Sequence, residues 1–317
     1  MIKKLEFRGL KFKNNIFTAP LAGYTDIPWR YAMKDSLAGV IFTEMISVEA
    51  LARDSQKTFD MLEKTNEFNS KSNLCVQLFG NNIESFKKSL EIVYEKFEYK
   101  NVNINMGCPV SKVLKSKAGC YYLDKLEEAE KVIKEIRKLT DCVLSIKTRL
   151  GINNNDLNGL KLCQIAQNCG VDFVIVHART FKQGFSGNIN IESLAEFKKK
   201  LDIPVIGNGD IYSVDDIKSM YNKTNVDGFM IGRGLFGNPN LISEILGEDK
   251  KIDTILFFKK HFEYMTKYYG EDKAYRNMKK FVPYYKNLFS KKDKIAILTS
   301  LSYYDFIKNL KQTGIIL

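Results

Sequence analysis

Cys108 stands next to last in the run Asn101-Val-Asn-Ile-Asn-Met-Gly-Cys-Pro109. Val102 and Ile104 alternate with asparagines, which predicts a buried strand; Gly107 then frees the backbone and Pro109 stops further pairing. A thiol at the C-terminal tip of a parallel strand sits where α/β enzymes keep their chemistry. The competing account is a structural cysteine, because unpaired thiols are among the most buried side chains. The run is compatible with both, and the balance rests on what the other strand tips carry.

The chain has 317 residues, 44% of them hydrophobic, with 20 Gly and 6 Pro. That composition specifies a packed globular fold, long enough for one barrel-sized domain and a smaller one. No stretch reaches the ~18 apolar residues of a membrane helix, so a soluble, cytoplasmic protein with no membrane partner is expected. The six cysteines, Cys75, Cys108, Cys120, Cys142, Cys163 and Cys169, include no C-x-x-C pair. Reduced thiols are expected, with neither a disulfide framework nor a metal site. Only two histidines occur, His177 and His261, which excludes any mechanism needing several imidazole ligands. The net charge is +12, and residues 251–317 hold 14 Lys and Arg against 6 Asp and Glu. Most of the excess therefore lies in the last fifth of the chain. A polyanionic partner docking there would explain it, and so would a solvated lysine-rich face.

Strands are expected at 16–19, 40–43, 74–78, 102–105, 142–148, 173–177, 204–207 and 228–231. Helix-period stretches lie between most of them, most clearly at 83–96, 123–139, 157–169, 191–201 and 214–221. Near-continuous apolar strands alternating with helices imply an α/β fold whose parallel sheet is covered on both faces. Eight such units in about 240 residues imply a closed (β/α)8 TIM barrel. A doubly wound open sheet is the alternative, but the first turn, Ala19-Pro-Leu-Ala-Gly-Tyr24, lacks the G-x-G-x-x-G fingerprint. Residues 5–7 and 10–12 alternate around Arg8-Gly9 and predict a short hairpin ahead of the barrel. Beyond Pro239 no strand recurs. Residues 252–269, 275–288 and 300–310 read as helices, with Gly270 and Ser290 near breaks. A barrel over residues 1–244 and a small all-helical domain over 245–317 are expected.

The C-terminal strand tips, where a barrel keeps its active site, offer Pro20-Leu21-Ala22, Glu44, Gln77, Asn105 with Cys108, Lys147 with Arg149, His177 with Arg179, Asn208-Gly209-Asp210, and Gly232-Arg233-Gly234. A purely structural barrel needs no such ring of polar and cationic groups. The last two tips follow the seventh and eighth strands, where barrels commonly bind a phosphate. Glycines admit backbone N–H groups to the phosphate oxygens, and Arg233 can add charge-assisted bonds. Together these loops predict a phosphate-bearing ligand.

In chain order, Ala19-Pro-Leu-Ala-Gly-Tyr-Thr-Asp26, Gln77-Leu-Phe-Gly80, Asn103-Ile-Asn-Met-Gly-Cys-Pro109, Lys147-Thr-Arg-Leu-Gly151, Val176-His-Ala-Arg-Thr180, Ile206-Gly-Asn-Gly-Asp210 and Met230-Ile-Gly-Arg-Gly234 resemble the motifs of the tRNA-dihydrouridine synthases, most closely the bacterial group B. The resemblance covers essentially the whole chain. It implies an FMN enzyme that reduces the C5–C6 double bond of uridines in tRNA, with NADPH as electron donor. It implies that Pro20, Leu21 and Ala22 line the isoalloxazine ring, that Gln77 and Lys147 make polar contacts to it, and that His177 is a further cofactor contact. Asn208, Gly209, Asp210, Gly232 and Arg233 match the ribityl and phosphate end. Asn105 matches a residue holding the uracil edge, Arg149 and Arg179 are further candidate substrate contacts, and Cys108 matches the catalytic acid. Hydride delivery to C6 builds negative charge toward C5, and a thiol with an ordinary pKa of about 8.5 carries a proton to donate there. A nucleophilic role for Cys108 lacks an evident neighbouring base.

Leu21 and Thr148 stand where bacterial relatives of this family usually have Met, and Cys120 stands where a small residue usually follows Gly119. The segment Arg276-Asn-Met-Lys-Lys-Phe-Val-Pro-Tyr-Tyr285 resembles the family's basic, tyrosine-ended helix, with Phe281 in place of its usual histidine. Arg276, Lys279 and Lys280 are expected to share one helical stripe that contacts tRNA, with Tyr284 and Tyr285 as candidate stacking rings. Two other readings compete. A dihydroorotate- or dihydropyrimidine-type FMN dehydrogenase acting on a free pyrimidine would not need the basic tail. A non-enzymatic RNA-binding protein would not need the lysine, cysteine and phosphate loops intact. A monomer is expected.

Overall fold

The computed structural model describes residues 1–63 and 73–315. Residues 64–72, within the expected barrel, and 316–317, at the end of the expected helical domain, lie outside the described residues. The strands are β1 (Leu5–Phe7), β2 (Leu10–Phe12), β3 (Ile16–Thr18), β4 (Val40–Ser47), β5 (Asn73–Phe79), β6 (Asn101–Met106), β7 (Val143–Arg149), β8 (Phe173–His177), β9 (Val205–Asn208) and β10 (Gly228–Ile231). β1 and β2 form the antiparallel hairpin, while β3 to β10 close in sequence order into a parallel barrel, with β10 returning to β3. The TIM-barrel expectation therefore holds in kind, order and number of strands.

The barrel interior has two chemical layers. At the end where the strands begin, Phe17, Val40, Phe42, Phe173 and Ile206 pack together, and the hairpin plugs them with Leu5 and Phe12. Phe12 meets Phe17 edge-on at 5.8 Å, and Phe7 lies 4.9 Å from Phe173. Toward the other end, β5, β6 and β7 turn amides and a hydroxyl inward. Asn105 Nδ2 donates to Gln77 Oε1 (2.8 Å), Gln77 Nε2 to Asn103 Oδ1 (2.7 Å), and Asn103 Nδ2 to Ser145 Oγ (2.8 Å). Each amide is thereby satisfied although buried, which is what lets a polar layer sit inside a barrel.

β4 runs four residues past its expected end. Its register against β5 slips between Phe42 and Met45, and there the Thr43 hydroxyl donates to the Glu44 carbonyl (2.7 Å) and accepts from Gln77 N–H (3.1 Å). The bulge turns Glu44 toward the Gly23 N–H at 2.6 Å, tying the tip of β4 to the loop after β3.

The helices between strands follow their caps. Asp26 accepts from Trp29 N–H at the start of Ile27–Met33, and Asn82, Asn190 and Ser213 do the same for Ile83–Glu95, Ile191–Lys200 and Val214–Thr224. The expected helix over 123–139 is two helices, Tyr121–Asp124 and Leu126–Lys138, because Lys125 leaves the helical region (φ −116°, ψ 66°). The expected helix over 275–288 is also divided. Glu271–Lys279 ends before a short 3-10 turn at Val282–Tyr284, since Pro283 cannot continue the hydrogen-bond ladder. A helix at Lys291–Thr299, absent from the expected set, starts from a Ser290–Asp293 capping box. It has no apolar stripe to betray it, with Ile297 buried and Ile295 and Leu298 exposed.

The helices after residue 254 pack on the barrel. Tyr264 meets Tyr31 at 5.6 Å, Tyr269 donates to Asp26 at 3.1 Å, and Lys280 reaches the Gly23 carbonyl at 3.3 Å. Tyr24, Phe236, Phe281 and Tyr284 form an aromatic cluster across the same seam, with Tyr24 stacked on Phe236 at 5.1 Å. No helix among the described residues is long and apolar enough to cross a membrane.

His261, in the helix Thr254–Tyr269, is fully buried, and neither ring nitrogen has a hydrogen-bond partner among the described residues. Its ring lies against Phe281 at 4.6 Å. Burial pushes its pKa from 6.5 down to about 3. A group depressed in the fold favours the folded state above its unfolded pKa and loses that contribution as pH falls. Relative to His261→Phe, the parent should therefore lose about 1 kcal/mol of stability per pH unit from pH 6.5 toward 4. Paired denaturant melts across that range check it; parallel pH profiles would contradict the buried neutral imidazole.

Candidate active site

The C-terminal mouth of the barrel holds a cavity of about 400 Å³. Strand register decides which tips meet there: Asn105 pairs with Lys147, Arg149 with His177, and His177 with Asn208. The wall also includes Pro20, Leu21 and Ala22 after β3, Cys108 after β6, Arg179 after β8, Gly209 and Asp210 after β9, and Gly232 and Arg233 after β10. Gln77 does not reach the wall; it lies beneath, fully buried, bracing Asn105 through the amide ladder.

Cys108 is held from both sides. Asn105 Oδ1 accepts from the N–H groups of Gly107 (3.1 Å) and Cys108 (2.9 Å), so this side chain caps the turn that presents the thiol. From behind, Cys120 N–H donates to the Cys108 carbonyl at 3.0 Å. Gly119 sits in the left-handed region (φ +66°), and a Cβ there would lie 2.5 Å from the Cys108 carbonyl oxygen, so only glycine fits. Burial raises the Cys108 pKa above the ordinary thiol value, with partial relief from the Val110 N–H, Arg149 and Lys147. The thiol is therefore protonated at neutral pH. Burial pushes the Cys120 thiol further, up to about 12.

The cavity is cationic. Lys147, Arg149, Arg179 and Arg233 line it, and Asp210 is the single acidic side chain on its wall. Arg179 takes Asp210 through two nitrogens, at 3.0 and 2.5 Å, and Arg233 approaches the same carboxylate at 3.6 Å. Lys147 has no carboxylate. Burial, and then the charge of Arg149, push its pKa from 10.5 down to about 7. His177 is held well below 6.5 by burial and by the four surrounding cations, so its ring is neutral.

Two arginines expected to contact substrate serve the scaffold here. Arg149 is 2% exposed, and its guanidinium donates to the carbonyls of Gly107 (2.8 Å), Thr180 (3.0 Å) and Gly184 (2.7 Å). It ties the Cys108 loop to the loop after β8. Arg179 donates to the Ser186 and Gly187 carbonyls besides Asp210, closing the same loop from its other end. Arg179 is engaged through all three of its nitrogens, whereas Arg149 commits Nε and Nη1 to these carbonyls and still lines the cavity. At the phosphate-loop positions Gly209 has φ +133°, and a Cβ there would meet Ile189 at 2.7 Å. Asn208 is anchored by its amide to the Met230 carbonyl at 2.8 Å.

The three cations of the helical part do not share one stripe. Lys280 points to the barrel mouth through Gly23, whereas Arg276 and Lys279 both lie over Tyr275, and Lys279 donates to the Ser300 carbonyl. Lys280 is the C-terminal cap, still helical in its dihedrals (φ −61°, ψ −27°), and its side chain is drawn to the barrel loop at Gly23. Of the two tyrosines, Tyr285 is buried and Tyr284 lines the cavity. Sequence reasoning missed Met45, Phe185 and Tyr212, which also line it. Phe185 is visible in the sequence only as a lone aromatic in the polar segment Lys182-Gln-Gly-Phe-Ser-Gly187. Among the described residues no cluster of three or more His, Cys, Asp or Glu could hold a metal ion.

Comparison with known proteins points one way. The family model described as dihydrouridine synthase matches residues 17–301. A probable tRNA-dihydrouridine synthase of Rickettsia prowazekii is 30% identical over 89% of this chain and 88% of its own length. The tRNA-dihydrouridine synthase B of Pasteurella multocida is 30% identical over 87% and 84%, and a probable tRNA-dihydrouridine synthase of Aquifex aeolicus 31% over 84% and 85%. Among solved structures, an old yellow enzyme homologue from Zymomonas mobilis superposes with a TM-score of 0.54 over 79% of this chain and 93% of its own, at 13% identity, which bears on the fold alone.

The raised thiol pKa gives a direct expectation. Iodoacetamide should label Cys108 slowly at pH 7, with the rate climbing through pH 9, and should leave Cys120 unlabelled, as read by peptide mass mapping. Fast, pH-independent labelling between pH 6 and 8 would mean a resident thiolate.

Proposed function

The chain belongs to the dihydrouridine synthase family, and from that premise we propose that it reduces uridines in tRNA to 5,6-dihydrouridine, with FMN as its cofactor and NADPH as electron donor. The observation that carries the reading is the placing, in one cavity, of a protonated thiol at Cys108 and a buried amine at Lys147 that has no carboxylate partner and would be protonated by a bound anion. A reduction that loads negative charge onto a ring needs both a proton to deliver and a cation to hold the charge meanwhile.

The residues present fit FMN. Cationic side chains outnumber the one carboxylate on the cavity wall, Gly209 and Gly232 leave backbone room, and Arg233 stands partly exposed beside them. Pro20, Leu21 and Ala22 would flank the ring, Lys147 would hold its anionic edge, and Asn208, Gly209, Asp210, Gly232 and Arg233 would take the phosphate end, Asp210 through its backbone. When bound, FMN supplies the hydride chemistry. Cys108 Sγ holds the proton destined for C5. Asn105, braced by Gln77, and the Gly119–Cys120 backbone fix where that proton sits. His177, neutral, adds polarity to the wall without adding charge. Arg149 and Arg179 keep the thiol loop and the loop after β8 in register.

The basic helical segment gives tRNA a docking surface, with Lys280 at the mouth and Arg276 and Lys279 farther out. A free pyrimidine assigns no role to that surface, most of which falls within the residues matched by the family model.

The test is to map dihydrouridine in tRNA from cells with and without this gene, and to assay purified Cys108→Ala on the unmodified tRNA. Dihydrouridine should be missing at specific positions. The variant should keep FMN and its reduction by NADPH while uridine reduction falls by about 10²–10⁴. Unchanged tRNA in the deletion strain overturns the activity; unchanged turnover by the variant overturns the acid.

A further inference from the structure

Few large apolar side chains are more than a third exposed, and three of those among the described residues line this one cavity: Val110 at 53%, Phe185 at 55% and Tyr212 at 47%. They come from three different loops, after β6, β8 and β9. The cationic cavity thus has an apolar rim, and Phe185 is the member whose placement is most heavily built.

Its loop is pinned at nearly every residue. Arg149 donates to the Thr180 and Gly184 carbonyls and Arg179 to those of Ser186 and Gly187. Gln183 accepts from Thr180 N–H at 2.8 Å and donates to the Asn188 carbonyl at 3.2 Å. Two buried guanidiniums hold a segment whose one exposed large apolar side chain is Phe185. Arg149 lies 5.4 Å from the ring centroid and Arg233 5.8 Å, and the His177 ring is at 6.1 Å. An isolated exposed phenylalanine on a loose loop would call for no account. A rigidly presented one, flanked by guanidiniums at the mouth of the cavity proposed to take the reacting uridine, has the make-up of a base-stacking platform: a flat apolar face for a nucleobase, held in place by the charged side chains around it.

We propose that Phe185 is a stacking site for a nucleobase of the RNA next to the reacting uridine. The inference rests on the proposed reduction of uridine in tRNA for the identity of the reacting base, but not for the stacking itself. A base drawn out of its own stack loses neighbours on both faces, and a fixed ring at the rim replaces one of them. The contact reads no hydrogen-bond edge, so it serves any base at that position and governs affinity more than chemistry.

Stacking of a base on an aromatic ring corresponds to about five- to 150-fold in affinity on truncation to alanine. Phe185→Ala should therefore raise the KM for tRNA about tenfold or more, with kcat within about twofold of the parent and flavin content unchanged, and Phe185→Tyr should restore the KM. Phe185→Trp supplies a second readout that needs no turnover. The only native tryptophan, Trp29, is 1% exposed, so emission from the introduced indole can be followed on the holoenzyme. Oligouridylate should quench it, and an abasic ribose-phosphate strand of equal length should not. An unchanged KM in Phe185→Ala, or equal quenching by the abasic strand, overturns the proposal. If the parent makes no dihydrouridine in any tRNA while the base-dependent quenching persists, the activity falls and the stacking site stands.

Discussion

The structure depends on an excess of positive charge that it does not neutralise. Four cationic side chains, Lys147, Arg149, Arg179 and Arg233, converge on one cavity with Asp210 as the only carboxylate on its wall. Buried charge of one sign is costly unless something offsets it. The protein offsets part of it with backbone: Arg149 is absorbed by three carbonyls and Arg179 by two carbonyls and Asp210. Lys147 is left over, and burial has already drawn its pKa down to about 7. An anion in the cavity would restore that proton. The same field keeps His177 neutral. Charge excess and the proposed cofactor site are one feature.

That field alone would not position a proton donor. The thiol at Cys108 is fixed by uncharged contacts: the Asn105 amide from below, the Gly119–Cys120 backbone from behind, and the Gln77–Asn103–Ser145 ladder that keeps Asn105 from turning. Because the ladder is buried and complete, the amides hold single orientations. Burial then raises the thiol's pKa despite the neighbouring cations. The thiol thus keeps its proton beside Lys147 instead of passing it to the amine to form a thiolate–ammonium pair. Cys120, set against the Cys108 backbone, contributes here through its N–H.

Much of this was legible in the sequence. The eight barrel strands are apolar runs bounded by turns, which is the pattern least open to misreading, and their order gave the tips that meet at the mouth. What the sequence hid is how those tips are used. Arg149 and Arg179 read as ligands because an arginine at a strand tip carries no mark of whether its partner is a substrate or a carbonyl 31 or 35 residues away. Gln77 lies beneath the cavity wall, bonded to Asn103 and Asn105, a matter of barrel register rather than of residue type. Phe185 has no periodicity around it, so only its loop's hydrogen bonds give it meaning. Of the stripe expected of Arg276, Lys279 and Lys280, the first two lie over Tyr275, while Lys280 is drawn to a carbonyl 257 residues away, a partner that helical spacing does not reveal.

The central claim is that the leftover charge is there for an anionic, phosphate-bearing flavin. Titrating the flavin-stripped protein with FMN and with riboflavin tests it most directly, since the two differ only by the phosphate. The account predicts that FMN binds at least about 100-fold more tightly, that Arg233→Ala narrows the gap, and that added salt narrows it further. Equal affinity for riboflavin and FMN, or no binding of either, would contradict it.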